Sequence, residues 1–186
     1  MKNTVRIIGG RYRGKNITFI PEQHLRPTPN RVRETVFNWL RPHLPNAVCL
    51  DAFAGSGALG IEALSQGAAN VVLIEANPRV FEQLQRTATA LQSLSLQVIH
   101  ADFIAWLAHT STSFNIIFLD PPFSGHQLST CIRHIEINSL LAPNGFLYIE
   151  FERHTPPTLS EQWKTHKLQY AGQVGYGLYT RDPSKC

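Results

Sequence analysis

The chain of 186 residues is the size of one ordinary domain, and its 43% hydrophobic, 16% charged and 10% aromatic content is too apolar for a disordered chain and too mixed for a fibrous one. No stretch is both long and apolar enough to span a bilayer, and the first residues lack the apolar run of a signal peptide, so a cytoplasmic protein with no membrane partner is expected. Charge is unevenly spread: residues 1–45 hold nine Lys and Arg against Glu22 and Glu34, a net +7, while the remainder carries −3. That asymmetry predicts a polyanion-binding face joined to a catalytic or ligand-binding body.

Val5 to Ile8, the pair Gly9-Gly10, and a stretch from Tyr12 to Ile20 interrupted by Gly14 predict a basic β-hairpin or meander within residues 1–26. Its strands would display Arg6, Arg11, Arg13 and Lys15 as part of that polyanion-binding face. Pro21 to Arg26 reads as a connector, and Thr28-Pro29 as a helix start with Thr28 as N-cap and Pro29 at the first helical position. Val32, Val36, Trp39 and Leu40 then share one helical face, with Arg31, Glu34, Asn38 and Arg41 on the other. Pro42 and Pro45 end that helix.

From Ala47 onward, short apolar runs alternate with helical stretches. The runs Ala47 to Leu50, Val71 to Ile74, Leu96 to Ile99, Ile116 to Leu119 and Phe146 to Ile149 read as buried parallel strands. Helices are predicted near 58–66, 78–92, 103–109 and 127–141, the last stopped before Pro143. Beyond residue 160, Thr165 to Val174 and Gly175 to Thr180 read as an antiparallel hairpin closing one sheet edge. The fold class is therefore α/β, a seven-stranded, mostly parallel Rossmann-like sheet in a single domain with the basic hairpin as its N-terminal extension. Cys49, Cys131 and Cys186 are odd in number and widely spaced, which supports neither a disulfide framework nor a zinc site, and no metal is expected.

The first parallel strand runs into Asp51-Ala52-Phe53-Ala54-Gly55-Ser56-Gly57-Ala58-Leu59-Gly60, a G-x-G-x-x-G at a strand-to-helix turn. Glycines there let the backbone bend sharply and let a ligand approach the main chain, and the string alone serves NAD and other adenosine ligands alike. Glu75, at the end of the second strand, is suited to accept both ribose hydroxyls. Asp51 disfavours NAD, because a carboxylate at the strand tip repels a pyrophosphate but attracts a cationic amino-acid tail. Asp102, after the third strand, could accept from an adenine amino group with Phe103 as an apolar wall, or simply cap the next helix.

The fourth strand ends in Asp120-Pro121-Pro122-Phe123. Such a turn gathers a carboxylate, a proline carbonyl and an aromatic ring around one point, which suits a planar amine. Two acceptors on the amine hydrogens orient it and favour a localised lone pair as a methyl arrives, while Phe123 would stack on a flipped base.

The chain resembles the RsmD family of ribosomal RNA guanine-N2 methyltransferases, within the S-adenosylmethionine-dependent Rossmann-like class. The resemblance rests on Arg6-Ile7-Ile8-Gly9-Gly10, Arg26-Pro27-Thr28 with Arg31-Val32-Arg33-Glu34, Asp51 through Gly60 with Glu62-Ala63-Leu64, and Asp120 through Phe123, in that order. It implies S-adenosyl-L-methionine as cofactor, with Asp51, Ala52, Phe53, Gly55 and Gly57 toward its methionine end, Glu75 at its ribose, Asp102 and Phe103 at its adenine, and a contact from Thr28. It further implies Asp120, Pro121 and Phe123 as catalytic residues, 16S ribosomal RNA in the small subunit as the partner of a monomeric enzyme, and Arg6, Arg11, Arg13, Lys15 and Arg31 as the residues that bind that RNA. Pro29-Asn30 departs from the family, which more often has a small hydroxyl residue followed by Asp. Asp-Pro-Pro-Phe is shared with DNA adenine-N6 methyltransferases, the alternative enzyme reading. A non-catalytic RNA-binding assembly factor is the alternative from another class.

Overall fold

A computed structural model describes residues 3–21, 27–121 and 125–182. The predicted connector from Glu22 to Arg26, and Pro122 and Phe123 of the Asp-Pro-Pro-Phe turn, lie outside them. The elements run β1 (Thr4–Arg6), β2 (Asn16–Thr18), α1 (Asn30–Leu40), a 3₁₀ turn (Arg41–His43), β3 (Val48–Asp51), α2 (Ala58–Ser65), β4 (Asn70–Glu75), α3 (Pro78–Leu91), β5 (Leu96–His100), α4 (Phe103–Leu107), β6 (Phe114–Leu119), α5 (Gly125–Ile137), β7 (Leu141–Glu152), β8 (Trp163–Ala171) and β9 (Val174–Arg181). β1 and β2 form their own two-stranded sheet, and the other seven strands follow the order β5-β4-β3-β6-β7-β9-β8. The expected mostly parallel seven-stranded sheet is thus present.

The chain forms two compact units, one up to Phe103 and one from Ile104. In the first, β3, β4 and β5 pair in parallel. Cys49, Leu50, Leu73 and Ile74 are buried, as the continuous apolar runs require of strands covered on both faces. α3 follows from Asn77, whose side chain accepts from the Arg79 and Val80 N–H groups, with Pro78 at the first turn; it buries Val80, Leu84 and Leu91 along one stripe. In the second unit, β6 pairs in parallel with β7, and β7, β9 and β8 continue antiparallel. Phe114 and Ile116 through Leu119 are buried. β8 is one of the sheet's two edge strands and shows Lys164, His166 and Lys167 to solvent, charged or polar side chains that discourage edge-to-edge pairing.

Several expected boundaries move. α1 begins at Asn30 with Pro29 as its N-cap residue and no side-chain cap, because Pro29 has extended backbone (ψ 146) and cannot occupy the first helical position. Thr28 is buried and not the N-cap. Phe37 and Arg33 join the buried face of α1, while Trp39 is only half-buried. α5 ends at Ile137, since Ser139 turns into the left-handed region (φ 48) and β7 has begun by Leu141. Pro143 is tolerated inside β7 because it is exposed where the ladder to β6 slips between Phe114 and Ile116. The C-terminal hairpin turns at Gly172-Gln173, two residues before its expected place, with Gly172 at φ +60.

Three buried acids tie the fold to alkaline pH. Burial, then the neighbouring Asp51 charge, pushes the Cys49 thiol up to about 12; burial, then Tyr170, pushes Tyr179 up to about 12; and Tyr148 lies well above its usual range through burial and Glu150. The native state keeps protons that the unfolded chain releases from about pH 8.5 for Cys and pH 10 for Tyr. Stability should therefore be level up to about pH 8 and fall from there toward pH 12. Urea midpoints at rising pH check this, and Cys49→Ala should remove the earliest part of the fall; a midpoint constant to pH 11 would contradict it.

Candidate active site

The turn after β3 is held by carboxylates of the same unit. Ala54 N–H donates to the Ile74 carbonyl, and Gly55 and Gly57 take left-handed backbone (φ 49 and 75) that a side chain would strain. A Cβ on Gly57 would come within 2.8 Å of Leu84, and one on Gly60 within 2.2 Å of Leu73, so both glycines also permit close packing. Glu75, at the tip of β4, accepts from Gly55 N–H through Oε2 (2.9 Å) and from Asn77 N–H through Oε1 (2.8 Å). One half-buried carboxylate thereby ties the glycine turn to the start of α3.

Asp51 is 2% exposed, and its Oδ2 accepts from Gly60 N–H (3.0 Å) in the first turn of α2. Ser56 Oγ accepts from Ala58 N–H (3.3 Å). Two of the donors that a helix start would otherwise offer to an anion are therefore satisfied from within the chain. Ala52 is buried and Phe53 half-buried. Phe53 meets Phe103 edge-on, with ring centroids 5.7 Å apart. Phe103 is itself 2% exposed, so Phe53 offers the more accessible ring, and Asp102 beside them is exposed.

In the second unit, Asp120 follows β6 and is half-buried, and Pro121 is buried. Phe123 lies outside the described residues. On β7, Tyr148 OH donates to Glu150 Oε1 (2.8 Å), both side chains buried, and the Asp120 charge adds to the forces holding Tyr148 protonated. Among the described residues no group of His, Cys, Asp and Glu could hold a metal ion, and no helix is long and apolar enough to cross a membrane.

The expected hairpin is present in the first unit, with strands three residues long, shorter than the apolar runs imply. Arg6, Arg11, Arg13, Lys15 and, on α1, Arg31 are exposed. Arg11 and Lys15 lie over the Tyr12 ring at 5.4 and 5.3 Å. Arg33 does not belong to this cationic surface. It is fully buried against Glu62 at 3.2 Å, and its Nη2 donates to the Arg6 carbonyl (2.8 Å) and to Asn30 Oδ1 (2.7 Å). Glu62 in turn accepts from Ile8 N–H, Gly9 N–H and Gln66 Nε2. The Gly9-Gly10 pair lies against the end of α2, where a Cβ on Gly10 would fall 1.7 Å from the Ser65 carbonyl.

Sequence reasoning gave no role to Asn77, Ser56, Arg33 or Glu62. For Asn77 a signal existed, since Asn-Pro before a periodic stretch is a helix-start pattern; for the Arg33–Glu62 pair, 29 residues apart, periodicity holds none.

A model of the family described as conserved hypothetical protein 95 matches residues 5–180. Ribosomal RNA small subunit methyltransferase D of Escherichia coli is 44% identical over 179 residues, covering 96% of this chain and 90% of that protein. The protein of the same name from Haemophilus influenzae is 39% identical over 182 residues, covering 96% and 94%. Among solved structures, a putative methyltransferase, yhhF, from Escherichia coli superposes with a TM-score of 0.87 at 44% identity, over 96% of this chain and 98% of that one.

Proposed function

The chain belongs to the family described as conserved hypothetical protein 95, and on that premise we propose that it is an S-adenosyl-L-methionine-dependent methyltransferase acting on the exocyclic N2 amine of a guanine in 16S ribosomal RNA. It works in the cytoplasm as a monomer on the small ribosomal subunit. The two compact units act as one methyltransferase domain, with residues 1–26 as its basic extension. Relatives named ribosomal RNA small subunit methyltransferase D, aligned over nearly the whole chain, support the substrate class.

The observation that carries the choice of cofactor is the occupation of the α2 start by Asp51 and Ser56. NAD-type ligands place a pyrophosphate on such helix donors, and here a buried carboxylate stands in that place and would repel it. A sulfonium cofactor with a cationic amino-acid tail gains from the same charge. Asp51, Ala52, Phe53, Gly55 and Gly57 would hold its methionine end, Glu75 its ribose, and Asp102 with Phe103 its adenine, with Thr28 as a further contact. When bound, the cofactor supplies an electrophilic methyl group.

The chain's own part is to present the amine. The guanine N2 lone pair is delocalised into the ring. Asp120 and the Pro121 carbonyl accept the two amine hydrogens and so favour the localised lone pair, and an Asp120 oxygen takes the proton that the methylated amine sheds. Phe123 stacks on the base. Incubating the protein with methyl-tritiated S-adenosylmethionine and either small ribosomal subunits or duplex DNA tests the reading. Label in the RNA is expected; label in DNA alone would favour an adenine-N6 enzyme, and none in either would leave a binding factor.

Glu75 gives a separate test. Glu75→Ala should weaken S-adenosylmethionine binding by about 1 to 3 kcal/mol, through loss of both the ribose acceptor and the bonds that shape the Gly55 turn. Glu75→Gln, which keeps an acceptor, should lose less. Unchanged affinity by calorimetry in Glu75→Ala would remove Glu75 from the site.

A further inference from the structure

A groove of about 360 Å³ runs between the N-terminal hairpin and α3 within the first unit. Its floor is apolar, from Ile7, Ile17 and Leu91, while Lys15 and Thr18 rise on the hairpin side and Gln83, Arg86 and Thr87 on the helix side. The two walls are tied together, since Gln83 Nε2 donates to the Thr18 carbonyl (3.1 Å). Among the described residues, no acidic side chain lines the groove. Arg86 is paired with Glu82 at 3.8 Å, with the two side chains 74% and 67% exposed. An exposed pair of that kind is weak and readily exchanged for another anion.

Arg86 is not isolated on its helix. Arg79, Gln83 and Arg86 recur at spacings of four and three residues, which places them on one face of α3, and Arg79 is exposed beyond the groove. On the hairpin side, Lys15 shares the Tyr12 ring with the exposed Arg11, at 5.3 and 5.4 Å, and on the helix side Arg86 belongs to the stripe that includes Arg79. In volume it falls at the small end of ligand clefts, roughly 300 to 1,000 Å³. An isolated small anion would need neither the apolar floor nor the further cations on either side.

We infer that this groove binds a single-stranded stretch of the RNA substrate, with a nucleotide over the apolar floor and its phosphate between Lys15 and Arg86. This rests on the reading of the protein as a ribosomal RNA methyltransferase and adds a second wall, on α3, to an RNA-binding surface otherwise confined to the hairpin and α1. Phosphate contacts of this kind fix position without reading sequence, so the groove sets how firmly the RNA is held and leaves the choice of nucleotide elsewhere.

Arg86→Glu is the direct test, with Arg86→Gln as a variant that adds no repulsion toward Glu82. Arg86 is exposed and is not among the residues assigned to the cofactor or to the target amine. Binding of a short fluorescein-labelled single-stranded RNA should weaken at least about fivefold in Arg86→Glu at physiological salt, and the salt slope should shrink by about 0.7 to 0.9 per lost phosphate contact. The apparent KM for small subunits should rise, with kcat, S-adenosylmethionine affinity and the methylated nucleotide unchanged. Arg86→Gln should show the same changes in smaller measure. If both variants bind RNA and methylate subunits like the unaltered protein, the groove assignment is overturned. If the unaltered protein transfers no methyl group to subunits, it is the underlying functional reading that fails.

Discussion

Replacing Asp120 with alanine is expected to slow methyl transfer at least about a hundredfold while leaving S-adenosylmethionine affinity nearly as it was. The carboxylate follows directly on β6, whose residues Ile116 to Leu119 are buried, so its backbone is anchored in the interior of the second unit. Pro121 behind it is buried and has no N–H to compete for the carboxylate or for its own carbonyl's ligand. Alanine would remove the acceptor proposed to orient the amine and take its proton, at a position that is only half-buried. Asp120→Asn, which keeps one acceptor oxygen but brings a donor, should fall between the two. Single-turnover rates with saturating cofactor separate chemistry from binding. A folded Asp120→Ala protein with a near-normal rate would rule out the assigned role.

Glu62→Ala should destabilise the protein by about 3 to 5 kcal/mol, the largest loss of stability expected from any single change considered. Its carboxylate is fully buried, faces the Arg33 guanidinium at 3.2 Å, and accepts from the Ile8 and Gly9 N–H groups at 2.9 and 2.8 Å. Removing it strands a buried cation, already pulled down from its usual range by burial, and leaves two backbone donors of the N-terminal segment without their acceptor. Glu62→Gln should cost less, because one side-chain oxygen remains. Arg33→Met combined with Glu62→Gln should cost less than the sum of the two single changes, as expected for groups in direct contact. Urea unfolding measures all of these, and a loss below about 1 kcal/mol in Glu62→Ala would mean that the pair contributes little. Because the same carboxylate fastens the hairpin segment to α2, RNA binding should weaken along with stability.

The parts of the molecule legible from sequence are those whose cause is local. The glycine turn after β3 needs left-handed backbone at Gly55 and Gly57 and no side chain at Gly60, where α2 packs close to Leu73, and glycines at those offsets are visible in the sequence. Buried parallel strands need uninterrupted apolar runs, and Ile116 to Leu119 is one. The rest depends on partners far apart in the chain. Arg33 sits in a helix among Arg31, Glu34 and Arg41 and reads as one more solvated charge until α2 brings Glu62 against it. Glu75 is recognisable as a carboxylate at a strand tip, but not as the group that accepts from Gly55 and Asn77, because those bonds exist only once the turn has closed. The end of α5 was obscured because Ser139, not a glycine, takes the left-handed turn, and Pro143 reads as a break although the irregular ladder at the start of β7 accommodates it. The hairpin was legible as a basic β element, but its short strands were not, since the Gly10 and Gly14 turns take up much of the stretch between them.

The proposed reaction, methylation of a guanine N2 amine in small-subunit ribosomal RNA, leaves a chemical mark in the cell. Mass-spectrometric mapping of modified nucleotides in that RNA, from cells with and without the protein, tests it most directly. A single N2-methylguanine is expected to disappear when the protein is absent and to return when it is supplied, but not when it is supplied as Asp120→Ala. An identical set of N2-methylguanines in both RNAs would contradict it.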